Sequence, residues 1–265
     1  MKTSKTSPIP RNRLARLAHL GSLAGSVAGG MLAEGLRQVA RGNIPRAPDL
    51  VLTPSNARRV ADKLSELRGA AMKVGQLLSM DTGDLLPPEL AAILAGLRAD
   101  ARPMPMSQVV RAMEQSFGPG WEKAFRRFSF TPMAAASIGQ VHAAITHGER
   151  HLALKIQYPG IRQSIDSDVN NVATLLRISR LVPEELALEP LLQDAKLQLN
   201  EEADYLREAG HLQHFAMLLE DAPEFLVPGV DEDLTRENIL AMDLLAGEPI
   251  ESLTYATQTT RDRVV

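Results

Sequence analysis

The chain has 265 residues, 45% hydrophobic and 23% charged, with a net charge of -3 and no cysteine. This composition fits one large or two small core-forming domains and argues against a disordered chain. It excludes a disulfide framework and thiolate metal sites, supplies no overall basic field for nucleic acid, and with 4% aromatics offers no base-stacking platform.

The charge is unevenly spread. No acidic residue precedes Glu34, whereas Lys2, Lys5, Arg11, Arg13 and Arg16 are basic, and Leu17 to Ala33 is mostly apolar or small, broken by His19. That run is at or below the length needed to span a bilayer. It reads in three ways: a cleaved targeting segment, a helix on an anionic membrane surface, or a helix packed on the rest of the protein. Gly21, Gly25 and Gly29 recur every four residues and so share one helix face, which permits close helix approach or pairing of two copies. A flexible glycine-rich tail is the simpler alternative.

Residues 41–54 carry three prolines and read as a linker. The next helix is predicted to be capped near Thr53 or Ser55, with the stripe Val60, Leu64, Leu67, Ala71, Val74 and Leu78, and to end at Gly83 and Pro87-Pro88. A shorter helix is predicted over Pro88–Leu97 and another over Met106–Phe117. The pattern then changes. Phe125–Phe130, Val141–Thr146 and His151–Gln157 read as strands, with His147-Gly148 a turn and Pro159-Gly160 closing the third. Helical spacing returns at Ile161–Leu181 and Pro190–Leu219, and Phe225–Val230 and Asn238–Leu245 read as two last strands. The predicted class is α+β: a small antiparallel sheet with helices, preceded by an all-helical extension.

Lys155 is flanked by the alternating Leu152, Leu154 and Ile156, so it shares the opposite strand face with Ala153. An ammonium on a central strand needs an anionic partner or ligand; an edge-strand lysine facing water is the alternative. Leu192, Ala195, Leu199, Leu206 and Ala209 form a stripe whose spacing lands on Glu202, and Lys155 is the natural partner for that carboxylate. Asp204 lies two positions on, on a different helix face, with either its own partner or a solvated place beside Arg207. Met133–Gln140 is a run of small residues between strands, able to bring backbone N–H groups close to a phosphate. It is rich in alanine rather than glycine, so the cradle should differ in shape from a glycine loop. Lys73 and Gln76 share a helix flank off the apolar stripe, and Gly75 between them hints at a close backbone approach; an exposed polar flank is the alternative. His142, His147 and His151 fall around a turn without a fourth ligand, which argues against a metal site. There is no GxGxxG in a parallel βαβ unit, which argues against a dinucleotide-binding domain.

Four segments together resemble the UbiB/AarF (ABC-one) atypical kinase family: Lys73-Val-Gly-Gln76 (its KxGQ motif), Ala134-Ala-Ala-Ser-Ile-Gly-Gln-Val-His142 (its alanine-rich loop), Ala153-Leu-Lys155-Ile-Gln-Tyr-Pro-Gly160, and Glu202-Ala-Asp204-Tyr205 (its ExD motif). The resemblance runs from about residue 11 to 250. It implies a protein-kinase-like amino-terminal lobe, adenine nucleotide binding and a link to ubiquinone biosynthesis. By that resemblance Lys155 holds the phosphates of ATP or ADP and pairs with Glu202, while Ala134, Ala135, Ala136, Ser137 and Gly139 form the nucleotide loop. Met242 and Leu244 flank the hinge that touches adenine. Lys73, Gln76 and Asp204 regulate the site as a cover.

The implied organisation is a basic, glycine-rich, membrane-proximal segment with linker (1–53), a helical extension (54–120), a kinase-like lobe (121–250) and the start of a second lobe (251–265). The catalytic loop and the Mg²⁺ ligands would lie beyond Val265, so a truncated sequence is expected. Expected partners are an adenine nucleotide, membrane lipid or quinone-biosynthesis proteins, and a second copy through the glycine face. The setting is the cytoplasmic face of a bacterial membrane or the matrix face of an organelle. The competing expectation is a non-catalytic lipid- or partner-binding module that uses the lobe as a scaffold.

Overall fold

A strand whose alternate residues are all large and apolar buries one face and leaves the other for function. Residues 151–157 have that pattern in Leu152, Leu154 and Ile156. The computed structural model describes residues 64, 67–81, 103–179, 187–248 and 250–264. The linker, the predicted Pro88–Leu97 helix and Gly21, Gly25 and Gly29 lie outside them.

Among the described residues five strands form one antiparallel sheet: β1 (Phe125–Phe128), β2 (Ala134–Ala135), β3 (Gly139–Thr146), β4 (His151–Gln157) and β5 (Ile239–Asp243). The order is β1-β3-β4-β5, and β2 joins β3 at Val141 and Gln140, on the near end of the same edge. Lys155 pairs in register with Val141 on one side and Leu240 on the other, so its strand is central rather than at an edge. The two faces differ. His142, Ala144, Leu152, Leu154, Ile156, Ile239 and Ala241 point one way and are all buried. Val141, Ala143, Lys155 and Met242 point the other way and are half-buried, beside the buried Ala153 and Leu240.

The helices are α1 (Arg68–Asp81), α2 (Met106–Phe117), α3 (Ile161–Ser179), α4 (Leu188–Glu202), α5 (Tyr205–Leu218) and α6 (Gln258–Asp262). The expected stripe is buried at Ala71, Val74 and Leu78 in α1 and at Leu64 before it, with Leu67 packed beside it; Val60 is outside the described residues. Helices α1, α3 and α4 pack on one another, α2 packs on β4, and α5 packs on β5. Pro159-Gly160 turns the chain into α3 with Gly160 at a φ of 77°, a left-handed conformation that suits glycine. The β3–β4 hairpin closes as expected around His147-Gly148, but its left-handed residue is Glu149, at a φ of 64°.

Three expectations need correction. Pro190–Leu219 is not one helix: α4 ends at Glu202, and Asp204 caps the start of α5 by accepting a hydrogen bond from the Arg207 N–H at 3.1 Å. The apolar spacing carried across that break therefore has no meaning, and Leu206 is 51% exposed while Tyr205 is buried in its place. Phe225–Val230 is not a strand; only Val230 bridges, to Met242, while Phe225 and Leu226 are exposed. The small-residue loop is not all loop, since Ala134–Ala135 extends the sheet.

The buried sheet face carries a polar chain. The Met104 N–H donates to Gln140 Oε1 at 2.8 Å, the Gln140 amide donates to His142 Nε2 at 2.7 Å, and His142 Nδ1–H donates to the Ser129 carbonyl at 2.7 Å. The carbonyl can only accept, which fixes the neutral tautomer. The ring stacks on Phe128, inside a cluster of Phe117, Trp121, Phe125, Phe128 and Phe130 that collects the single tryptophan and four of the six phenylalanines. Burial pushes the His142 pKa below its ordinary 6.5. The unfolded imidazole therefore gains a proton before the folded one does. The stability that neutral His142 contributes is present above pH 6.5 and is lost as pH falls from 6.5 toward the folded pKa, by at most about 1.4 kcal/mol per pH unit. Urea unfolding of His142→Phe should lack that part of the pH slope, and the variant should be less stable at pH 7, where it strands the Gln140 amide and the Ser129 carbonyl.

Candidate functional site

Four segments meet at one end of the half-buried sheet face. The first is α1, which approaches the small-residue loop at Gly69. A Cβ there would stand 2.8 Å from Ile138 Cγ2 and 2.9 Å from the Ser137 carbonyl oxygen, closer than a side chain tolerates. Glycine thus seats the helix on the loop and brings Lys73, a turn further on, to the site. Gly69 carries no periodicity or motif signal that sequence reasoning used. Gly139 does the same in β3: a Cβ would lie 2.4 Å from the Ile156 carbonyl oxygen.

The second segment is the loop itself. Ala134 and Ala135 are exposed, Ala136 and Ser137 half-buried, and Ala136 N–H donates to the Gly139 carbonyl at 2.9 Å, which folds the loop tightly. The third is the end of α4, which supplies Glu202. The fourth is the start of α5, which supplies Tyr205 and Glu208 from one face. The break between α4 and α5 is anchored by the buried Gln157 side chain, whose amide donates to the Ala203 carbonyl at 3.0 Å.

The ion pairs differ from the expected ones. Lys155 does not meet Glu202. Its Nζ donates to both oxygens of Glu208, each at 2.7 Å, and stands 4.8 Å from the centroid of the Tyr205 ring. Glu202 instead accepts from Lys73 Nζ at 2.6 Å and from Ser137 Oγ at 2.9 Å. The reason is the helix break. With α4 ended, Glu202 is a terminal residue turned toward α1, and the new helix presents Glu208 to the sheet. Glu208 was missed because it is off the stripe drawn through the presumed single helix; the i, i+3 relation to the buried Tyr205 was the available signal. Asp204, expected on another face of the same helix, belongs to neither face but caps α5.

Lys73, Ser137, Lys155, Gln198, Glu202 and Glu208 line an open cleft of about 670 Å³, with Arg207 and His211 at its rim. The lysine side chains are the more enclosed partners: Lys73 is 12% and Lys155 19% exposed, against 34% for each glutamate. Removing either carboxylate would leave a mostly buried ammonium, the costly way to break such a pair. Gln76 points away and is exposed. Met242 and Leu244 lie on and just past β5; Met242 pairs with Ala153, and the Leu244 N–H donates to the His151 carbonyl at 2.9 Å. They do not line the polar cleft but continue the same sheet face beyond Lys155. Burial, backbone hydrogen bonding and exposure separate the three histidines: His142 is internal, His147 donates to the Lys123 carbonyl, and His151 is exposed. Among the described residues no group of three or more His, Asp or Glu side chains is arranged to hold a metal ion.

Double-mutant cycles distinguish these pairings. Lys155→Met and Glu208→Gln should couple by about 0.5–3 kcal/mol in unfolding free energy, at the low end because both groups are partly exposed, while Lys155→Met and Glu202→Gln should be nearly additive.

A family model described as "ABC1 atypical kinase-like domain" matches residues 96–265. "Atypical kinase COQ8, mitochondrial" from Saccharomyces cerevisiae is 43% identical over 260 residues, covering 98% of this chain and 52% of that protein. "Probable protein kinase UbiB" from Cellvibrio japonicus is 30% identical over 233 residues, covering 82% and 42%. The solved structure of the Rv3197–erythromycin complex from Mycobacterium tuberculosis matches at a TM-score of 0.50 and 30% identity, covering 79% of this chain and 54% of that one. The chain spans 35% to 52% of the length of the curated relatives it matches.

Proposed function

This chain belongs to the ABC1 atypical kinase-like family, and we propose that it forms the nucleotide-binding part of an ATP-dependent atypical kinase or ATPase serving ubiquinone (quinone lipid) biosynthesis. The observation that carries this reading is Lys155: a central-strand ammonium at the edge of an open cleft, held by one carboxylate and one ring, beside a tight loop of small residues.

ATP supplies the transferable phosphoryl group. The chain's own residues account for binding and orientation. Lys155 meets phosphate oxygens through charge-assisted bonds, stronger than neutral contacts, and Glu208 fixes where its ammonium stands before the ligand arrives. The Ala134–Gly139 loop lies along the same edge and brings backbone close to the phosphates. Alanine in place of glycine narrows the backbone conformations open to it and so the poses it accepts. Val141, Ala153 and Met242 supply an apolar strip further along the face, suited to an adenine ring. Lys73, drawn in by Glu202 and Ser137, puts a second ammonium over the cleft and makes α1 its cover, with Gln76 on the outer side of that helix. Asp204 acts indirectly by capping α5 and thereby aiming Glu208. The Glu202 and Glu208 carboxylates are taken up by the two lysines, so among the described residues the cleft offers no free carboxylate pair for Mg²⁺.

Calorimetric titration with ADP tests the site. Lys155→Ala should weaken binding by about 10- to 100-fold, the worth of a charged hydrogen bond. Unchanged affinity would remove Lys155 from the site. In the same reading the basic, glycine-rich residues 11–40 bring the protein to a membrane. Sedimentation with anionic liposomes should drop when those residues are deleted, and equal sedimentation would rule out this route to the membrane.

A further inference from the structure

Lys155 has two neighbours on one helix, and they differ in kind. Glu208 holds the ammonium through both oxygens at 2.7 Å and is one-third exposed. Tyr205, a turn earlier, places its ring 4.8 Å from the same nitrogen and is 0% exposed. Among the described residues its hydroxyl has no hydrogen-bond partner, although it is buried near Gly139. Tyrosine normally spends its hydroxyl on a bond when buried. Here the polar end does no such work, and the contact with the cleft lysine is made by the ring.

The two neighbours also respond differently to an anionic ligand. A phosphate and the Glu208 carboxylate compete for the same three N–H bonds. The ring attracts the ammonium through its quadrupole and occupies no acceptor position that a phosphate needs. Water reaches Glu208 and weakens its pull, but it does not reach the ring.

We propose that the Tyr205 ring is the positioning platform of Lys155, holding the ammonium at the cleft by cation–π attraction while an anionic ligand draws it from Glu208. This rests on the nucleotide reading above. The platform is built by the same break that exposes Glu208: Gln157 pins Ala203, Asp204 caps the new helix, and Tyr205 and Glu208 then face β4 together.

The test is a series at position 205 in the full chain: phenylalanine, then mono-, di- and trifluorophenylalanine, each titrated with ADP beside wild type and Lys155→Ala. Fluorine withdraws electron density from the ring face and barely changes its shape. Tyr205→Phe removes only the unpartnered hydroxyl and is the reference for the fluorinated rings. Affinity should then fall stepwise with each fluorine, to about tenfold weaker at the trifluoro ring. Tyr205→Leu should lose at least as much. A flat fluorine series overturns the proposal, and if Tyr205→Leu alone is weak, the residue serves packing only. In that outcome the nucleotide reading stands as long as Lys155→Ala remains defective. Absence of ADP binding in the wild type overturns both, and that control separates the two failures.

Discussion

The carbonyl of Ala203 sits where one helix has ended and the next has not begun, and the buried amide of Gln157 gives it a hydrogen bond. Without a partner, a carbonyl in that buried position would cost a kilocalorie or more, about 1–3 kcal/mol. With it, the chain can stop α4, turn, and restart under the Asp204 cap. Everything at the cleft follows from this turn. Glu202 ends up at a helix terminus facing α1, and Tyr205 and Glu208 face the central strand. Gln157 is itself on β4, two residues from Lys155, so the strand that carries the ammonium also fixes the helices that receive it.

Much of this architecture is legible in the residues. The Met106–Phe117 helix and the His151–Gln157 strand fall where periodicity puts them, because each has a full apolar face and clear punctuation. The stripe of α1 is legible for the same reason. The break at Ala203–Asp204 is not. Ala203 has high helix propensity, no proline or glycine marks the turn, and the spacing from Leu199 to Leu206 continues a helical period by coincidence. What overrides it is a tertiary hydrogen bond from 46 residues away. The pairing of Lys155 was misassigned as a direct result, since it depended on which carboxylate the unbroken helix would present. Phe225–Val230 failed differently: its residues look like a strand, but only Val230 finds a partner. The aromatic cluster around Trp121 was also out of reach, because its members come from a helix, a short turn, one strand and the bend after it, with no shared period.

Charge in the cleft is balanced pair by pair. Lys73 with Glu202 and Lys155 with Glu208 leave no uncompensated ammonium among the described lining residues. A polyanion that enters must therefore exchange with a carboxylate for each contact it gains, and its affinity is the difference between two strong interactions. Such a site favours ligands that offer several phosphate oxygens at once over a single small anion. The glycines at 69 and 139 contribute in a different way: they remove side chains where backbone must approach backbone, and so hold the walls of the cleft at a fixed separation.

The cleft also has a history in the folding of the chain. Lys73 and Glu202 are 129 residues apart, Ser137 and Glu202 65, and Lys155 and Glu208 53. Each contact closes a long loop whose entropy is lost before any contact repays it, and such contacts form late. A partly folded chain can have its hairpin and its individual helices and still have no cleft. A ligand that fills the cleft consequently binds only finished molecules, and by mass action it shifts the population toward them. For this arrangement of segments, ligand occupancy is a measure of completed folding.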